Sequence, residues 1–367
     1  MRMHRLRSAG LINALIGEPR TPSSLGFRMP AEWESHRATW LAWPHETTDW
    51  PGKFPAIPWV YGEIVRNLSK VEKVYMLVED AEAEQQVRCV FKECHVDLNA
   101  VEFFQISTDR SWTRDFCPTF IRNKAGERGV LNWRFNGWAK YENSLRDDAV
   151  TEFLAPQIDV PMWTPLYGGE RIVLEGGSID VNGAGTILTT EECLLSDVQA
   201  RNPKLGREAL EGVFRDYLGA SHTLWLKQGI AGDDTHGHVD DLARFTNPRT
   251  VVIASEKDSS DVNYEPLKEN LALLHEMKDQ DGEPLRIETL PMPEPVFFDG
   301  QRLPASYANF YIANEILLVP TFNDPNDRIA LNKLAELFPD RQVCGIAATD
   351  LVLGLGTLHC MTQQEPA

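Results

Sequence analysis

The sequence is short of cysteine, of positive charge and of long apolar runs. Its six cysteines, Cys89, Cys94, Cys117, Cys193, Cys344 and Cys360, include no Cys-x-x-Cys spacing, so the usual ligand pattern of a structural zinc site is missing. They are too sparse for a disulfide scaffold and read as free thiols of a reducing compartment, which makes a cytoplasmic location the expectation. No apolar stretch approaches the roughly 18 residues that a membrane helix needs. Lys and Arg number 36 against 54 Asp and Glu, a formal net charge of -18. An acidic field disfavours nucleic acid and anionic membranes as partners and suits a small cationic ligand.

The 367 residues suit two domains or one repetitive domain. Residues 1–28 read as a loose N-terminal extension rather than a cleaved signal, because the stretch over residues 11–17 is short, interrupted by Asn13 and lacks a clear cleavage site. A single domain is expected over residues 29–367.

Within it a unit recurs. Paired strands are expected over residues 119–122 and 129–135, 177–181 and 186–189, 242–246 and 251–255, and 308–312 and 316–319. The turns between them are rich in Asn and Gly, which suit tight hairpins. Helices follow over residues 146–154, 203–218, 265–277 and 327–338, and further strands over 223–226, 286–290 and 342–346. Residues 40–106 form a divergent extra unit. A repeated unit that cannot bury its own face implies stacking or a closed ring, so the expectation is an α/β ring of about five ββαβ units.

Four segments carry chemistry. In Asp109-Arg110-Ser111-Trp112-Thr113-Arg114-Asp115 a Trp beside a carboxylate offers an apolar wall and an anion. In Leu174-Glu175-Gly176-Gly177 the glycines allow close backbone approach to a ligand. In Gly232–Asp241 four acids and two imidazoles sit within ten residues. Alternation places His238 and Asp240 on one face of an entering strand. Two readings stay open there: a metal set drawn from His236, His238 and Asp240, or His238 as acid and base with Asp240 facing a cation. In Gly354-Leu355-Gly356-Thr357-Leu358-His359-Cys360 a lone thiol ends a Gly-punctuated strand.

One thiol, one imidazole and several carboxylates fit hydrolysis at a guanidinium or amidinium carbon. Carboxylates bind its N–H pairs, the bound cation favours the thiolate, and an imidazole passes protons to the leaving amine and from water. No metal or cofactor is needed.

Six motifs then carry a resemblance: Met29-Pro30-Ala31-Glu32-Trp33-Glu34, Trp112-x-Arg114-Asp115, Leu174-Glu175-Gly176-Gly177-Ser178, Gly237-His238-Val239-Asp240, Ala305-Ser306-Tyr307-x-Asn309-Phe310-Tyr311, and His359-Cys360-x-Thr362-Gln363-Gln364. In this order they resemble the agmatine deiminase family of guanidine-modifying enzymes, related to the peptidylarginine and arginine deiminases. The resemblance implies a five-bladed pseudosymmetric α/β propeller (pentein). It also implies conversion of agmatine and water to N-carbamoylputrescine and ammonia on the way to putrescine, and a homo-oligomer. By position, Cys360 is expected as nucleophile and His238 as general acid and base. Asp115 and Asp240 are expected to clamp the guanidinium, with Glu175 completing the polar set and Asp109, Trp112 and Gly356 contacting substrate. Two positions depart from the family pattern. Gly354-Leu355-Gly356-Thr357 stands where a Gly-Gly-Gly-Asn type stretch is usual, and Cys117 stands for a Gly. Free or peptidyl arginine, or another guanidino compound, is the alternative substrate.

Overall fold

A computed structural model describes residues 20–367. The expected N-terminal extension falls outside the described residues as far as residue 19. From there the chain is packed: Phe27 is buried and Arg28 pairs with Arg122 across an isolated bridge.

Among the described residues there are five sheets of three or four strands and two small two-stranded ribbons. Four of the five sheets repeat one plan: an antiparallel pair, a crossover, then a strand parallel to the second. These are Thr119–Arg122 with Arg128–Leu131 and Met162–Trp163, and Asp180–Val181 with Thr186–Thr190 and His222–Leu226. The other two are Ala243–Asn247 with Thr250–Ser255 and Arg286–Pro291, and Tyr311–Ile312 with Ile316–Thr321 and Gln342–Ala347. A parallel neighbour cannot be reached by a tight turn, so each crossover is long and contains helix.

The fifth sheet explains the divergent unit. His36–Ala42, Lys73–Val78 and Val101–Gln105 run parallel, and the antiparallel partner they lack locally is supplied by the C-terminus. Gln363–Pro366 pairs with His36–Ala42, with Trp40 opposite Gln363.

The helices are written locally. Asp80 caps Ala81–Glu93 by accepting from Ala83 N, and Val87 and Phe91, four apart, are its buried residues. Pro325–Leu337 opens with Pro at its first position and a reciprocal Asp324–Asp327 capping box. The central strands, such as Ile316–Thr321, are buried on both faces, as parallel strands covered by helices are.

Several expected strands prove shorter at the end facing the chain's polar clusters. The strand expected to carry His238 and Asp240 is a 3-10 turn, Val239–Asp241, and the strand begins at Ala243. That expected over 177–181 begins at Asp180 after a 3-10 turn, Gly176–Ser178. That over 308–312 is Tyr311–Ile312, and that over 129–135 ends at Leu131. Cys360 also lies in a turn, before the strand Gln363–Pro366. At each of these starts the backbone leaves the ladder to bring polar groups together, with His236 and Gly237 at φ 64 and 91. The helix expected over 203–218 is Arg207–Val213 continued by a π turn, Phe214–Leu218.

Candidate active site

Asp115, Glu175, His238, Asn309 and Cys360 each lie a few residues before the first strand of one of the five sheets. The repeat therefore brings one loop from every sheet to a common place.

Gly177 permits a close approach of side chains from two of the other loops. A Cβ there would stand 2.6 Å from His238 Nδ1 and 3.0 Å from both Asp115 Oδ1 and Asp240 Oδ2. Its own N–H donates to Asp115 Oδ1 at 3.0 Å. Glycine is required because a β-carbon would occupy the space between three functional groups.

His238 is fully buried. Its Nδ1 lies 3.9 Å from Asp115 Oδ1 and 3.9 Å from Asp240 Oδ1, and its Nε2 lies 3.6 Å from Glu175 Oε2. Both ring nitrogens, Glu175 Oε2 and Asp240 Oδ1 are buried without a hydrogen-bond partner, as groups prepared for a ligand are. Trp138 Nε1 donates to Asp115 Oδ2 at 2.8 Å, and Arg201 Nε to Glu175 Oε1 at 3.1 Å. Cys360 Sγ lies 3.7 Å from Asp240 Oδ2 and accepts from Asn309 Nδ2 at 3.0 Å. Asn309 Oδ1 in turn accepts from Thr357 Oγ1 at 2.8 Å and from His359 N at 2.9 Å.

Beneath these groups lies a second layer. His359 bridges Asp240 and Glu32, 2.7 Å from each. Glu32 also meets Arg244 at 3.0 Å and Arg114 at 3.3 Å. Arg244 continues to Asp180 at 3.2 Å.

The electrostatics follow from this crowding. Burial, with Asp240, Asp241 and Asp115 nearby, pushes the Cys360 thiol well above its ordinary range. Burial raises the Asp115 carboxyl to about 6 against the pull of His238, and Asp240 and Glu175 push it further. Burial acts on Glu175 in the same sense, but Arg201 and His238 overcome it and hold the group down at about 2. Burial would lower His238, yet Asp115 and Glu175 hold it well above the usual imidazole range. Asp240 stays below the usual carboxylate range because His359 and His238 offset its burial. The site thus combines a protonated thiol and an imidazolium inside a ring of carboxylates.

A cavity of about 330 Å³ opens onto Cys360, with Trp112, Asp115, Trp138 and Gly356 on its walls. Asp49, Arg110, Tyr141, Asp234 and Asp299 also line it. Trp112 and Gly356 thus line the cavity. A Cβ at Gly356 would lie 3.0 Å from both Cys360 Cβ and Trp112. Asp109 does not line it: its Oδ2 accepts from Arg146 N at 2.8 Å, at the start of the helix Leu145–Leu154. Of the departures, Leu355 lines the cavity at φ 68, a conformation that glycine adopts freely. Cys117 is buried away from the cavity.

His236 is not part of the site. Its ring lies 3.3 Å from Ser196 Oγ and 3.8 Å from Glu192, so His236, His238 and Asp240 do not form a ligand set. Among the described residues, two other groups bring ligand atoms within 4.8 Å of one another: Glu175, Cys193 and His238, and Asp240, Asp241 and Cys360.

Sequence reasoning missed Glu32, Asn309 and His359 as contributors. Glu32 and Asn309 lay inside the motifs quoted above, and His359 adjoins Cys360, which was the available signal. Trp138 and Arg201 carried none.

A family model described as Porphyromonas-type peptidyl-arginine deiminase matches residues 28–366. The agmatine deiminase of Ectopseudomonas mendocina (strain ymp) is 34% identical over 370 residues, covering 95% of this chain and 97% of that protein. The solved agmatine deiminase of Enterococcus faecalis superposes with a TM-score of 0.86 at 32% identity, covering 96% of this chain and 98% of that one. A substrate-bound agmatine deiminase from C. jejuni superposes at 0.82 with 30% identity, covering 93% and 96%.

Proposed function

The chain belongs to the Porphyromonas-type peptidyl-arginine deiminase family, and on that footing we propose that it hydrolyses agmatine to N-carbamoylputrescine and ammonia, a step toward putrescine. One observation carries the reading: four loops bring Cys360 and Asp115, which line one cavity, together with Glu175 and the His238–Asp240 turn directly beside them.

In this reading Asp115 and Asp240 accept the guanidinium N–H groups and fix the plane of the substrate. The bound cation offsets the negative field that holds the Cys360 thiol up, so in the complex the thiol releases its proton to solvent and the thiolate forms. Its sulfur attacks the guanidinium carbon. His238, held as imidazolium by Asp115 and Glu175, gives its proton to the departing nitrogen, and ammonia leaves. The neutral imidazole then takes a proton from water as the water oxygen adds to the thiouronium carbon. Collapse expels the Cys360 thiolate and leaves the substituted urea. Asn309 Nδ2, 3.0 Å from Sγ, steadies the sulfur.

The cavity favours agmatine over arginine. Asp49, Asp234 and Asp299 line it, and Arg110 is the only lysine or arginine among its described lining residues. The Arg110 guanidinium is occupied by Asp49 and faces the Tyr141 ring at 4.4 Å. Asp234 is engaged in the same way by Lys140 and Tyr141, so Asp299 is the lining carboxylate left to meet a free amine, whereas an α-carboxylate meets no unpaired cation among the described lining residues.

The matching plan of the sheets, one site loop from each, and the Trp40–Gln363 pairing support closure as a five-bladed α/β propeller, the pentein arrangement, with residues 29–367 as one catalytic domain. Six free cysteines support a cytoplasmic setting.

The test is ammonia release from agmatine, free arginine and a peptidyl arginine side by side. Agmatine is expected to be turned over with the highest kcat/KM. Turnover of arginine alone would overturn the substrate assignment.

A further inference from the structure

We propose that Glu175, Cys193 and His238 form a site for a soft divalent cation such as zinc, and that filling it switches the enzyme off by engaging His238.

Three observations carry this. The ligand atoms of the three residues lie within 4.8 Å of one another, and all three residues are buried. Glu175 Oε2 and His238 Nε2 have no hydrogen-bond partner. These two atoms stand 3.6 Å apart. Zinc bonds of about 2.0–2.3 Å at tetrahedral angles put neighbouring ligand atoms roughly 3.3–3.8 Å apart, so the first edge of the polyhedron is already formed. Small shifts bring the Cys193 sulfur, within 4.8 Å of the other two ligand atoms, to the third corner.

The surroundings suit the ion. Arg201 binds Glu175 through the other oxygen, Oε1, leaving Oε2 as a single-oxygen ligand oriented from behind. The far nitrogen of the ring, Nδ1, faces Asp115 and Asp240 at 3.9 Å each, where their carboxylates offset part of the ion's charge without a hydrogen bond to the ring. On binding, Cys193 and Nε2 of His238 release their protons to solvent. The ion and the Arg201 guanidinium, three positive charges, then face the Cys193 thiolate and the carboxylates of Glu175, Asp115 and Asp240. Cys193 is held by the turn that begins at Thr190, whose hydroxyl accepts from Cys193 N and donates to the carbonyl of Gly237. The thiol and the imidazole therefore sit on segments tied together.

The other candidate group is less available. Asp240 Oδ2 is engaged by His359, and Asn309 donates to both Asp241 Oδ1 and the Cys360 sulfur.

Binding rests on this geometry, and only the inhibitory consequence rests on the proposed role of His238. Cobalt(II) is the probe, because thiolate ligation gives a near-ultraviolet charge-transfer band. The band is expected in the wild type and in Cys360→Ala, and it is expected to vanish in Cys193→Ala and in the shape-conserving Cys193→Ser. Circular dichroism checks that each variant is folded. With agmatine as substrate, zinc is expected to inhibit the wild type reversibly on chelation. At least tenfold more zinc is expected to be needed in Cys193→Ser. A band lost in Cys360→Ala but kept in the Cys193 variants would move the ion to the Asp240 group and overturn the site, as would no band at all. A Cys193-dependent band without inhibition would leave the site standing and remove the assigned role of His238.

Discussion

His359 joins Asp240 to Glu32: one ring nitrogen lies 2.7 Å from Asp240 Oδ2 and the other 2.7 Å from Glu32 Oε2. Glu32 is fixed in turn by Arg244 and Arg114. This chain anchors one oxygen of Asp240 and leaves the other, Oδ1, unpartnered. Removing the ring in His359→Ala leaves two buried carboxylates short of a partner. The expected loss of stability is about 3–5 kcal/mol, read by urea denaturation, with a fall in kcat/KM for agmatine. An unchanged urea midpoint would show that the bridge is not structural.

Cys360→Ala is expected to lower turnover by about four orders of magnitude or more while agmatine still binds, as measured by calorimetry. Residual turnover near the wild-type rate rules out the covalent route.

Asp115 gives a pH signature. Its carboxyl is raised from 3.8 to about 6 by burial. The folded protein thus holds this proton more tightly than the unfolded chain. The group's contribution to stability is full below about pH 4 and is lost as pH rises through about 6. The stability of wild type minus that of Asp115→Asn should fall by about 3 kcal/mol across this window. Over the same range agmatine binding should strengthen in the wild type, because the cation needs the ionised carboxylate. Flat profiles in both measurements would remove the raised carboxyl from the account.

Thr357 acts through Asn309 on Cys360. Thr357→Val removes the hydroxyl that donates to Asn309 Oδ1 at 2.8 Å. A roughly fivefold drop in kcat is expected with KM little changed, and Thr357→Ser should restore it. A change confined to KM contradicts a positioning role.

Much of the fold was legible because its signals are local. Hairpin turns such as Asn182-Gly183, with Gly183 at φ 67, and the Asp caps of helices sit within a few residues of what they control. The strand expected over residues 342–346 lies within Gln342–Ala347. The boundaries that moved lie at the site, where Val239–Asp241 and Gly176–Ser178 are turns instead of strand. There, polar side chains held by distant partners override alternation.

By itself the sequence determined the repeating unit, the residue types for guanidinium chemistry and the segments that carry them. These depend on hydrophobic period, turn residues and side-chain chemistry, all present within a short window. Only the tertiary structure decided that Asp109 serves a helix start, that His236 turns away, and that His359 meets Glu32 from 327 positions along the chain. It also decided that the C-terminal strand completes the sheet begun by His36–Ala42. Such relations rest on hydrogen bonds and burial between segments remote in sequence, and no local pattern encodes which remote partner a polar group will find.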